Sequence, residues 1–400
     1  MNKQPRTQVF RLKKGCTMLK SDWKRHFGLR EAGVYYALII LMLILGLVTH
    51  FAGRPAYLSA TNLTNILYQA SMVGMMGVAM TVILITGNFD LSVASVAALG
   101  AAVTVALAGP LGFWAAAGIA LLSTIGVGVL NGTIVQVLGI NAFIVTLGTL
   151  TAIRGLVLIL TNGRSLLVST PEAKAQMVAF EGGKVPMQMA LLVIAVLLVV
   201  WFGSKLLRAR SKGEAMPVST PGGVVAGLVV AAIALMAGPE LTVAKPVIYA
   251  GIYTVVVWAV LSFTTVGRRV YAVGGNPVAA RLAGINVNAY KMAGFILASG
   301  TAGFAGILFA SRLGAVNPTA LQGAELTVIA AAILGGTSLF GGAGSVIKTL
   351  VGALLLFTLT NGFNILNLGA NYQGVIEGTV VVAAAAIYTV GGNKRKKAAA

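Results

Sequence analysis

The chain has 400 residues and a formal net charge of +20, from 29 Lys and Arg against 9 Asp and Glu, yet only 10% of it is charged and 58% is apolar or aromatic. Soluble domains carry about 25% charged residues and about 45–50% apolar ones, so an ordinary cytosolic enzyme, a disordered tail and a nucleic-acid-binding domain are excluded. The basic residues sit at the ends of long apolar runs, the pattern that orients a membrane protein rather than one that grips DNA.

Residues 1–33 form a basic arm with nine Lys and Arg opposed only by Asp22 and Glu31. The single Cys16 excludes a disulfide framework within one chain. His26 and His50 are the only histidines, so no metal site is expected. The apolar run 34–52 is long enough to cross a bilayer core of about 30 Å and too long for a signal peptide, so it is predicted to be a retained first span. Further spans are predicted near 66–86, 92–109, 113–131, 142–160, 188–203, 222–238, 247–266, 292–311, 324–336, 347–361 and 373–390. The expected fold is therefore an all-α polytopic membrane protein of about 10–12 transmembrane helices, with half-spans expected near 87–91 and 324–345. The transmembrane domain is taken as 34–391, with a basic tail at 392–400.

With a cytoplasmic N-terminus, the basic connections 204–220 and 267–291 and the cluster Lys394, Arg395, Lys396 and Lys397 all fall inside. The outer loops 161–186 and 239–246 are poorer in net charge, as the positive-inside rule requires. Both termini are therefore expected in the cytoplasm. Gly is one residue in eight and recurs inside the spans, which permits close helix crossings in lipid.

An internal repeat runs through the chain. Asn131-Gly132, Leu138-Gly139, Asn141, Val145 and Gly148-Thr149 recur 230 residues later as Asn361-Gly362, Leu368-Gly369, Asn371, Val375 and Gly378-Thr379. In the predicted topology the two copies are inverted, an arrangement that places a transport path at the repeat interface.

No GxxxxGK[ST], HExxH or GxSxG occurs, so no nucleotide-hydrolysing or proteolytic site is expected on this chain. The most informative stretch runs from Gly274 to Asn286. Asn276 suits an N-cap, Pro277 the first helical position and Gly284 a left-handed C′ position, which predicts a short capped helix in a basic loop. Two readings stand for it: docking to a cytoplasmic partner, or resting on lipid headgroups. The first is preferred because the apolar residues of the helix are small.

The run Gly267 to Val287 resembles the coupling loop of bacterial ABC sugar permeases of the ribose, xylose, arabinose and galactose type. Three further stretches are similar to that family: Gly87-Asn88-Phe89-Asp90-Leu91-Ser92-Val93, the segment Asn141 to Gly148 continued by Arg154-Gly155, and Glu325 to Gly342. The likeness covers roughly 55–180 and 246–390. The sequence departs from the family pattern at Phe89, Ala94 and Thr327. The extra pair of spans at about 188–238 makes the layout most similar to xylose or multiple-monosaccharide permeases.

The resemblance implies an inverted-repeat permease of the type II importer kind, in a bacterial inner membrane. Its implied partners are a second permease copy, a cytoplasmic ABC ATPase that carries the ATP and Mg, and a periplasmic sugar-binding protein. The coupling residues expected are Gly275, Asn276, Pro277, Ala280, Arg281, Leu282 and Gly284. Asn88, Asp90, Ser92, Thr337, Ser338 and Asn361 are candidates for the path or its gate. Asp90 has two readings, an N-cap of the next span or a polar gate. Arg154 also has two readings, a structural ion pair with Glu325 or Glu377, which is preferred, or direct contact with the substrate. The rival functions are an ion-coupled secondary transporter, a related permease for a furanosyl or amino-acid ligand, and a scaffold without transport.

Overall fold

The structure is a computed structural model that describes residues 29–211, 219–237 and 242–368, with a few positions between 374 and 382. Its helices are α1 (Leu29–Phe51), α2 (Ala60–Ile85), α3 (Val93–Leu111), α4 (Phe113–Val137), α5 (Ala142–Leu160), α6 (Pro171–Glu181), α7 (Met187–Ser211), α8 (Ser219–Ala237), α9 (Lys245–Phe263), α10 (Thr265–Gly275), α11 (Pro277–Leu282), α12 (Val287–Leu313), α13 (Ala324–Leu334) and α14 (Val346–Leu366). Two small antiparallel pairs complete it. β1 (Leu166–Leu167) pairs with β4 (Ala315–Val316), and β2 (Lys184–Pro186) pairs with β3 (Thr242–Ala244).

Among the described residues nine helices are long and apolar enough to cross a membrane. The span expected at 373–390, the arm before residue 29 and the tail at 392–400 lie outside the described residues or almost so. The half-span expected after residue 323 is the eleven-residue α13. The run 267–291, expected as a loop holding one short helix, also contains α10. There Gly267, Val270, Val273 and Gly274 make a buried stripe at helical spacing.

Helix starts are set locally. Ser59, Asn141, Asn286 and Ser345 each stand at an N-cap and accept a backbone N–H from the first turn of α2, α5, α12 and α14. Burial then sorts the helices. α2 lies at the centre, with Met75, Met76, Met80 and Ile83 buried among α9, α12, α13 and α14. By contrast, α7 has a mean hydropathy of 2.5 but almost none of its residues is fully buried, and it packs chiefly on α8. α1 likewise turns Ile39, Ile40, Leu43 and Leu47 outward. Apolar faces of this extent are stable against hydrocarbon and not against water, so the chain is a multi-pass membrane protein.

The crossing of α12 over α3 and α4 depends on missing side chains. A Cβ at Gly306 would lie 1.9 Å from the Ala97 carbonyl oxygen, and one at Gly303 would lie 2.0 Å from Thr124 Oγ1. Gly118 and Gly126, both within α4, face open space.

The repeat extends far beyond the matched residues. Adding its 230-residue offset moves α2 to 290–315, α3 to 323–341 and α4 to 343–367, against α12, α13 and α14. The two copies are inverted. Gly132, at the end of α4, packs on Met292 at the start of α12, near the end of α2. Asn361, near the end of α14, donates to Asn62 at the start of α2, at the opposite end of the bundle.

Candidate translocation and coupling site

Two helix breaks occupy equivalent places in the repeat, 86–92 between α2 and α3 and 314–323 between α12 and α13. Each is turned by left-handed residues, Gly87 in the first and Gly314, Leu321 and Gly323 in the second. Broken helices expose backbone groups at membrane depth, and these must be satisfied by protein or by a water-lined cavity.

In the first break Asp90 is fully buried. Its Oδ1 accepts the Ser92 backbone N–H at 2.8 Å and the Ser92 hydroxyl at 2.6 Å, while its Oδ2 has no hydrogen-bond partner. Ser92 borders α3 but has helical dihedral angles and makes no side-chain cap bond, so the capping bond at this helix start is the one Asp90 accepts from two residues upstream. The network continues outward: Asn131 donates to Ser92 Oγ at 3.1 Å, and Thr149 donates to Asn131 Oδ1 at 2.6 Å. One carboxylate thus ties the break to α4 and α5.

The second break carries no acid at the matching place. Position 90 plus 230 is Ala320, and its carbonyl accepts from Arg154 Nη1 at 2.7 Å. Of the two acids expected to pair with Arg154, Glu325 lies near enough to act on its charge, and the guanidinium makes this backbone contact besides. Glu325 Oε2 is buried without a hydrogen-bond partner, and Glu377 lies outside the described residues.

The remaining path candidates separate. Asn88 is buried and donates to Thr86 Oγ1 at 3.4 Å. Together with Gln136, Asn141, Lys291, Phe89 and Phe143 it lines a cavity of about 370 Å³ beside the first break. That size falls in the ~300–1,000 Å³ range of small-molecule pockets. Three amides and two aromatic rings suit a hydroxyl-rich neutral ligand. Thr337 is buried 3.4 Å from Thr81 Oγ1, which in turn lies 2.5 Å from Thr349 Oγ1. Ser338 has a turn role, its hydroxyl accepting the Phe340 N–H at 3.2 Å. Asn361 is at the far end of the bundle, away from the others.

The capped helix forms as expected. Asn276 Oδ1 accepts the Ala279 N–H at 3.0 Å, Pro277 opens α11, and Gly284 takes φ +78°. Ala280 is buried on Val273 and Val287, which fixes α11 to α10 and α12. Its other face is bare: Val278 is 69% exposed and Leu282 86%. Gly275, Pro277, Arg281 and Gly284 are also exposed.

The helix is joined rigidly to the first break. Gly342 N–H donates to the Ile85 carbonyl at 2.9 Å, and the Tyr271 hydroxyl donates to the Gly344 carbonyl at 2.9 Å. A Cβ at Gly274 would lie 1.6 Å from the Ile85 carbonyl oxygen. Three backbones therefore meet with no side chain between them: α10, the end of α2, and the 335–345 turn. Sequence reasoning missed Thr81, Thr349, Gln136 and the turn residue Phe340, which is 95% exposed. The threonines sit inside apolar spans and carry no local signal.

A multi-pass bundle with inverted broken helices and a capped, exposed end helix defines a membrane transport subunit rather than a receptor or a scaffold. The chain belongs to the family described as the permease component of the branched-chain amino acid transport system, whose profile matches residues 62–385. It is similar to a ribose import permease of Escherichia coli, 33% identical over 349 residues, covering 87% of this chain and 91% of the relative. A xylose transport system permease of Haemophilus influenzae is 34% identical over 392 residues, covering 91% of this chain and 97% of the relative. The corresponding xylose permease of E. coli is 32% identical over 338 residues, covering 82% and 85%. No solved structure matches the chain.

Proposed function

We propose that the chain is the membrane-spanning subunit of a binding-protein-dependent ABC importer that carries a monosaccharide, a xylose-like pentose or a related sugar, into the cytoplasm of a bacterium. The ribose and xylose permeases among its relatives support a sugar. The observation that carries the mechanism is the contact of α10 and the 335–345 turn with Ile85. Motion that α11 passes to α10 meets no compliant side chain between Gly274 and Ile85 before it reaches the 86–92 break.

In this reading a cytoplasmic ATPase binds ATP and Mg and grips Val278, Arg281 and Leu282. Its closure pulls α11, α10 transmits the displacement, and the first break opens or closes the cavity at Asn88. Asp90, Ser92 and Asn131 hold the break in register with α4 and α5 during that motion. A second permease copy completes the path, and a periplasmic binding protein delivers the sugar. The basic end, with Arg268, Arg269 and Arg281, faces the cytoplasm of the inner membrane, as do both termini.

The family description favours a second reading, in which the cargo is an amino acid or another non-sugar ligand. The test is reconstitution of the chain with its neighbouring ATPase and binding protein in proteoliposomes. ATP-dependent uptake of labelled xylose or ribose is expected. Uptake of leucine but no pentose favours the second reading. Uptake that needs no ATPase and follows an ion gradient overturns both.

A further inference from the structure

A second cavity, of about 510 Å³, opens on the outer surface of the bundle near its basic end. α9 and α12 form its walls, Val82 of α2 lies at its floor, and Val266 and Val270 of α10 close the basic end. It exists because the first turns of α12 present Ala289, Ala293 and Gly294 where α9 presents valines and Leu261. Two hydroxyls are its only side-chain polar groups. Tyr253 is committed to Thr301 at 2.7 Å, and Tyr290 accepts from Arg269 Nη1 at 3.3 Å. Such a lining cannot hold a polyol, and Val256 and Val260 on its rim are exposed where the bundle faces hydrocarbon.

We propose that this groove binds one anionic phospholipid, an acyl chain lying between α9 and α12 and the headgroup meeting Arg268 and Arg269. Two independent features commit to that occupant. The groove is apolar and open along a membrane-facing surface, which suits a hydrocarbon chain. The Arg269–Tyr290 contact sets a guanidinium at its polar end, with exposed Arg268 beside it, at the level where headgroups lie. Among the groove-lining side chains none is acidic, so the charge there favours an anionic over a zwitterionic headgroup. The groove abuts α10, so an occupied groove also braces the element that carries α11. The proposal does not depend on which solute is transported.

The test uses the full chain in detergent, delipidated and then titrated with phosphatidylglycerol or phosphatidylcholine. Native mass spectrometry counts retained lipid, and thermal unfolding reports its effect. One phosphatidylglycerol retained at least tenfold more tightly than phosphatidylcholine is expected. The pair Arg268→Gln with Arg269→Gln should abolish the preference. Ala293→Phe, which fills the groove from an exposed position, should abolish retention, with Ala289→Leu as a second filler if the first does not fold. Equal retention of both lipids overturns the proposal. So does loss in the arginine variant with none in the fillers, which describes surface headgroup binding alone. A filler that dissociates a dimer while lipid retention is unchanged also overturns it, because the groove is then a subunit interface.

Discussion

Asp90 and Ser92 form a closed local pair: one carboxylate oxygen takes both the backbone N–H and the hydroxyl of the residue two places on. This lets the chain break α2 without leaving the Ser92 N–H, just ahead of α3, orphaned. It also leaves Ser92 Oγ free to accept from Asn131.

The pair predicts an ordering of variants. Asp90→Asn keeps an acceptor for Ser92 and should fold near normally. Asp90→Ala orphans a buried N–H and hydroxyl and should cost about 1–3 kcal/mol. The apparent unfolding temperature of the purified protein checks this, and equal loss in both variants would contradict it.

Removing the cap of α11 by Asn276→Ala should cost about 1 kcal/mol locally. Hydrogen exchange in 277–283 should then quicken about fivefold, with little change in global unfolding. Asn276→Asp should behave as the unaltered chain.

Leu282 is nearly free of contacts on its own chain, so Leu282→Asp should leave stability unchanged within about 0.5 kcal/mol. It should nevertheless abolish co-purification of the partner ATPase. Retained ATPase with full transport would remove α11 from the docking surface.

Gly274→Ala places a methyl against the Ile85 carbonyl, a clash that no rotamer relieves. A loss of about 3 kcal/mol, seen as failure to give a monodisperse peak in size-exclusion chromatography, is expected. Gly275→Ala, whose added methyl would first meet the Gly342 Cα at 4.0 Å, should be far milder.

Arg154→Met leaves the Ala320 carbonyl without its donor and should lower the unfolding temperature, whereas Arg154→Lys should recover part of the loss. Equal loss in the two would show that an ammonium cannot stand in for the guanidinium there, and full recovery by Lys would show that its planarity is irrelevant.

The sequence was most legible where the physics is local. Apolar runs of membrane length placed α1 to α5, α7 to α9, α12 and α14, with ends that miss by up to eight residues where a helix continues past its apolar run. The Asn276, Pro277 and Gly284 triplet defined α11 to its caps, because a cap is settled by its nearest neighbours along the chain. Eight matched residues at one offset identified the inverted repeat, which the helix bounds then extend. α10 was read as loop because its apolar stripe is short and interrupted by Arg268 and Arg269.

Partnership was not legible. That Arg154 would also reach a carbonyl 166 residues away depends on how α5 lies against the second break. That Asp90, Asn131 and Thr149 share one network depends on the packing of α3, α4 and α5. The sequence by itself determined a membrane-spanning all-α chain, its repeat and its capped end helix, because hydropathy, spacing and capping act over a few residues. Only the tertiary structure decided which polar groups meet in the breaks, and that Gly274 touches Ile85, because helix crossings bring together residues that no local rule connects.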